Sequence, residues 1–219
     1  MNRSDLVGTI LVAVVCALSG GGAYGSGSIL TTKHNLSSSG PGEIKSATEG
    51  EVCIFCHSSH NTTREGPLWN HETTNPARFT TYDRTTMSSR AEQPNGATKL
   101  CLSCHDGTIA VGAIRGLSRP VPMRNVGGEG EIPASRPSHI GTDLTGTHPV
   151  SVKYQEASAL ADDHLRWPPF DPEKKVGTDA AGYVQCTSCH DPHDDSRSAK
   201  YPFWKKATFD EVCAVCHTY

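Results

Sequence analysis

Apolar positions along this chain rarely recur with the period of a helix or alternate as in a strand. One block stands apart. Leu6 to Leu18 is predominantly apolar, follows Arg3, and precedes the small-x-small sequence Ala23-Tyr24-Gly25. That arrangement predicts an export leader over 1–25, cleaved after Gly25, because the run is too short for an ordinary membrane-spanning helix. The mature chain, 26–219, then carries no membrane span. Within it, helical patterning is confined to turns around paired cysteines, to Ala159–Leu165, and to Phe209–Cys216, where Asp210 and Glu211 suit a first turn. Gly127-Gly128, Pro133, Pro137, Pro168-Pro169 and Gly177 break what lies between. The expectation is a single domain of mostly coil with short helices and little or no sheet.

Composition sharpens the difficulty such a chain faces. Only 36% of its 219 residues are hydrophobic and 6% aromatic, while Gly and Pro number 21 and 14. Side chains alone would fill a core of this size poorly. A formal charge of −3 excludes a basic nucleic-acid binder. The excesses are elsewhere, in 9 Cys and 11 His.

Cys16 falls within the leader, and the other eight cysteines form four CxxC pairs, each followed directly by His. They are Cys53/Cys56-His57, Cys101/Cys104-His105, Cys186/Cys189-His190 and Cys213/Cys216-His217. CxxCH is the attachment signature of c-type haem. Two thiols one helical turn apart can add across the two vinyl groups on one porphyrin edge, and the adjacent His supplies the proximal nitrogen to iron. With His at 11 of 219 positions, its presence after all four pairs by chance is on the order of 1 in 10⁵, which disfavours zinc ribbons and disulfides. Four haems would occupy the place of the missing core, stacked in a chain that the polypeptide wraps.

Four irons need four distal ligands. Met87 and Met123 lie away from the motifs, whereas seven histidines remain outside them: His34, His60, His71, His139, His148, His164 and His193. Bis-histidine ligation at every iron is therefore feasible, and it favours low potentials. His60 and His193 each follow a proximal His by three residues. They project from the same side of a turn and cannot reach the opposite face of their own haem, so each must serve another. The order CxxCHxxH then CxxCH occurs twice, which divides the chain into a haem pair over 50–115, a connector over 116–180 and a haem pair over 181–219. Within each pair, His60 is assigned to the Cys101/Cys104 haem and His193 to the Cys213/Cys216 haem. His34 and His148 are the candidates for the other two, which leaves His71, His139 and His164 without a role. Trp69, Trp167, Trp204, Phe170 and Phe203 are candidates to pack on ring faces. Lys33, Arg115 and Lys205 could pair with propionates, and Asp191, Asp194 and Asp195 form an acidic cluster.

The stretches TKHNLSSSGPG, EVCIFCHSSHN, GPLWN, PNGATKLCLSCHDGTIAVG, GTHPVS and VQCTSCHDPHD resemble exported multihaem cytochromes of metal-reducing bacteria. The resemblance is to the OmcE-type tetrahaem cytochromes that polymerise into extracellular filaments, and it covers nearly the whole mature chain. It implies a continuous haem chain along a filament of identical subunits, with His34, His60, His148 and His193 as distal ligands. It also implies that one distal His crosses between subunits, for which the terminal arm holding His34 is the first candidate. Redox-partner cytochromes and an extracellular acceptor complete the expected partners.

The leading function is thus an electron carrier without catalytic residues, cell-surface or extracellular in its filament form. A soluble periplasmic shuttle is the alternative location and form. A multihaem oxidoreductase is the competing class, disfavoured by four standard motifs and surplus histidines, because catalytic metal sites keep an open position.

Overall fold

The computed structural model describes residues 28–60, 66, 68–75, 78–84 and 87–218. The leader assigned to 1–25, with Cys16, lies outside the described residues. Among those described are four α-helices: α1 Gly96–His105, α2 Glu156–Leu160, α3 Cys186–Cys189 and α4 Phe209–Cys213. Two 3-10 turns are described, Ile29–Thr31 and Cys53–Phe55, and the second holds Cys53 and is capped by Cys56. Sheet is limited to two antiparallel pairs of two-residue strands, β1 Lys45–Ser46 with β2 Met123–Arg124 and β3 Val152–Lys153 with β4 Tyr183–Val184. The rest is turn and coil, as the broken patterning predicts. No helix among the described residues is long and apolar enough to cross a membrane.

Local chemistry explains the helix ends. Thr208 and Glu211 form a reciprocal capping box at α4, with Asp210 and Glu211 in its first turn. The helix expected over Ala159–Leu165 forms earlier, at Glu156–Leu160, and Leu165 is instead drawn into a backbone pair with His217.

α1 and α3 hold each other. Gln185, 1% exposed, precedes α3 and turns its side chain to α1, where its Oε1 accepts from Thr98 N at 3.2 Å. Its Nε2 donates to Asn95 Oδ1 at 2.8 Å and Asp179 Oδ2 at 3.0 Å. In return Thr98 Oγ1 accepts from Cys186 N at 3.2 Å. One of the free donors at the start of α1 is therefore capped from a distant segment. The approach needs Gly96, whose φ is +47° and where a Cβ would stand 2.8 Å from Gln185 Nε2.

The hydrophobic clusters are small. Phe79, Leu102 and Leu144 make one, and Val176, Val212 and Val215 make another, edged by Cys189, Cys216 and Trp204. The haem-attachment cysteines thus border the second cluster. Two proximal histidines share a local design: His57 pairs with Trp69 by an isolated backbone bridge, and His190 pairs with Trp204 in the same way.

Candidate haem-binding site

All eleven histidines lie among the described residues, and six of them meet in pairs. His34 faces His105 with ring centroids 6.0 Å apart, His57 faces His193 at 6.1 Å, and His148 faces His217 at 6.3 Å. Iron–nitrogen bonds of about 2 Å place two axial nitrogens about 4 Å apart, and with each ring centre about 1.1 Å further the centroids fall roughly 6.2 Å apart. The three pairs therefore have the spacing of two imidazoles sandwiching one iron. Each joins a motif histidine to one outside the motifs.

The rings are also oriented for this. His34 Nδ1 donates to Pro192 O at 3.0 Å, His105 Nδ1 to Ser138 O at 2.7 Å, His148 Nδ1 to Pro149 O at 3.0 Å and His190 Nδ1 to Pro202 O at 3.1 Å. A proton held on Nδ1 leaves the Nε2 lone pair for metal, the usual outer support of a ligating histidine. Burial lowers His34 to about 4, against the pull of the Pro192 carbonyl, and burial likewise lowers His148 and His190. These rings are neutral, as ligands must be.

The pairing differs from the one drawn from spacing. His193 lies beside His57, the first motif's proximal histidine, instead of the fourth's. His34 sits inside the chain's own fold, against His105 and stacked on Phe203 at 4.2 Å. His60 is exposed and faces none of the four proximal rings. Among the described residues, the ring against His190 is an indole, Trp204, stacked at 5.0 Å, and no second imidazole stands there. One motif histidine and one candidate distal histidine are thus left over. The i, i+3 argument excluded a histidine's own haem and could not say which other segment folds against it.

The three histidines without a role separate clearly. His164 is exposed beside Asp163. His139 gives its Nδ1 to Ile132 O at 2.9 Å and packs where a Cβ on Gly107 would collide with it. His71 is fully buried, its Nδ1 2.9 Å from Glu72 O and its Nε2 3.0 Å from Ala110 O and 3.6 Å from Cys104 Sγ.

None of the eight described cysteines is in a disulfide. Cys56 feels the charge of Cys104, Cys101 hydrogen-bonds Cys186, and Cys189 feels Cys216 and Cys213. Neighbouring motifs are thus close: Cys101 meets Cys186, and Cys189 and Cys216 border one cluster. Burial pushes Cys56 and Cys189 up to about 12 and Cys216 to about 11. Dry sulfurs of this kind suit neutral thioethers. No group of three or more His, Cys, Asp or Glu side chains converges to hold an ion among the described residues. In the acidic cluster, Asp194 pairs with Arg197 at 3.2 Å and Asp195 accepts from Phe203 N at 2.6 Å.

Two buried donors test the fit of the cofactor. Among the described residues, Trp69 Nε1, at the edge of His57, and Arg166 Nε, on the residue whose N–H bonds Cys216 O, have no hydrogen-bond partner. Buried donors are rarely left so, and a porphyrin propionate would supply the acceptor. Neither residue was legible as a propionate partner in the sequence, where Lys33, Arg115 and Lys205 were the candidates. Lys205 is half-buried and lowered by desolvation.

Residues 180–219 match the family model of the doubled CXXCH motif. Comparison with curated proteins finds no match. The doubled motif marks c-type cytochrome-like haem binding, in which haem is bound covalently.

Proposed function

We propose that the chain is an exported carrier of electrons that holds four bis-histidine haems in a row and assembles with copies of itself. The c-type haem attachment and electron-transfer character follow from the doubled motif; the four haems, the ligand pairs and the assembly are the proposal. The observation that carries it is the set of three imidazole pairs at 6.0, 6.1 and 6.3 Å. Bound haem supplies the one-electron couple of iron, and every other task is the protein's. It holds Nδ1 protons away from the metal-facing nitrogens and shields sulfurs such as those of Cys56 and Cys189 from water. Paired imidazoles favour ferric iron and hence low potentials.

The unmatched residues define the assembly. Among the described residues, the ring against His190 is that of Trp204, and His60 is exposed with no proximal ring against it. We assign His60 of one copy to the His190 iron of the next, in place of His34. Repeated head to tail, this heterologous contact does not close on itself and gives a filament, at the cell surface or beyond it.

Pyridine haemochrome assay should return four haems per chain, and fewer would end the tetrahaem reading. Negative-stain microscopy of the native secreted fraction should show filaments that H60A abolishes while all four haems remain. Monodisperse particles with four low-spin irons would leave the soluble shuttle. A second reading attaches to the same observation: an iron at His190 with an open position would have the geometry of a reductase site. A high-spin ferric signal persisting in assembled protein would favour it.

A further inference from the structure

We propose that His71 is a permanent buried cation that raises the reduction potential of the haem carried by Cys101 and Cys104. The inference rests on haem being attached at that pair. A neutral imidazole carries one N–H and one lone pair, so it can donate from only one nitrogen. Both His71 nitrogens face backbone carbonyl oxygens, Glu72 O at 2.9 Å and Ala110 O at 3.0 Å. A lone pair aimed at either oxygen would be repelled, and satisfying both requires two N–H groups, which is the imidazolium.

The ring is held there firmly. It is 0% exposed, and its strand segment is fixed on both sides by the His71–Ile114 bridge and by Arg115 N donating to Asn70 O at 2.8 Å. Thr74 Oγ1 and Thr108 Oγ1, 2.9 Å apart, tie the same two segments a little further along. Burial works against charge on the ring, while the Cys104 sulfur and the two carbonyls outweigh it. Once Cys104 is a thioether its charge is gone, and the two carbonyls are what hold the second proton.

The charge sits at the thioether edge of one haem, because Nε2 is 3.6 Å from Cys104 Sγ. A nearby positive charge stabilises the ferrous form, which carries one positive charge less than the ferric. Over about 10 Å at an effective dielectric near 20, that is worth roughly a tenfold change in the equilibrium between reduced and oxidised iron. The second haem thereby becomes a step in an otherwise uniform bis-histidine series.

The direct test is nitrogen NMR of the fully reduced, diamagnetic holoprotein labelled with ¹⁵N-histidine. His71, identified by its loss in H71Q, should show two protonated ring nitrogens at neutral pH; a single N–H would overturn the inference. In spectropotentiometry, H71Q with four attached haems should shift one of the four reduction steps roughly tenfold toward the oxidised form and leave three in place. Four unshifted steps would overturn it equally. If H71Q attaches fewer haems, the wild-type ring nitrogens decide the matter. A wild-type chain with fewer than four haems would instead refute the tetrahaem reading.

Discussion

His34 reaches His105 from the N-terminal arm and meets it at 6.0 Å, while its own Nδ1 is tied to Pro192 O next to the third motif. The ring proposed as the second haem's distal ligand is therefore anchored in the fold of a single copy. H34A should keep four covalent haems, open one iron to a high-spin state visible by low-temperature EPR, and leave filaments intact. Loss of filaments with four low-spin irons would return His34 to the subunit boundary.

The three ring pairs differ in twist. His57 and His193 lie 17° from parallel, His34 and His105 are at 65°, and His148 and His217 at 87°. Parallel imidazoles donate into the same iron d orbital and separate the two dπ levels, whereas perpendicular ones act equally on both. The ferric protein should show at least one rhombic low-spin signal from the first pair and highly anisotropic low-spin signals from the other two. H193M should remove the rhombic signal selectively.

Gln185 joins the helices of the second and third motifs from a fully buried position. Q185L should leave Thr98 N and Asn95 Oδ1 without their partners and cost about 3 kcal/mol, since each buried polar group left unpaired costs about 1–3 kcal/mol. Thermal unfolding of the holoprotein would read this. The isosteric Q185E should cost as much or more, because its carboxylate would stand against Asp179 Oδ2, now 3.0 Å from the amide nitrogen.

Asp171 gives the fold a dependence on acid. Its side chain is 2% exposed and receives Lys206 Nζ at 2.6 Å. Backbone N–H groups of Glu173, Lys175 and Val176 also donate to it, at 3.0, 2.7 and 2.8 Å. Burial alone would raise its pKa, but Lys206 and the three amides hold it well below the ordinary carboxylate range. A carboxylate depressed in the folded state contributes stability that is complete above its unfolded pKa, near 4, and lost as pH falls through the folded value. D171N should therefore destabilise by about 2 kcal/mol at pH 7 and progressively less below pH 4. Unfolding midpoints across that range would show the two curves converging.

What was legible in the sequence followed from spacing over a few residues. CxxCH fixes two sulfurs and a proximal nitrogen on one turn, so the four motifs and the scarcity of sheet could be read directly. The partner of each ring could not, because His193 and His57, or Gln185 and Thr98, meet through loops whose course no local pattern records. Burial of a polar ring is equally silent: His71 follows GPLWN in a stretch that reads as surface, and only the carbonyls of Glu72 and Ala110 reveal that it belongs inside.

The meeting of His57 with His193 has a temporal side. A polypeptide is made from its N-terminus, so the first motif emerges long before the residue that faces it. Until the last quarter of the chain arrives, an iron at His57 would have a ligand on one face alone. Completion then comes from the segment that carries the third attachment site, and the earliest haem is the one whose coordination waits for nearly the whole protein.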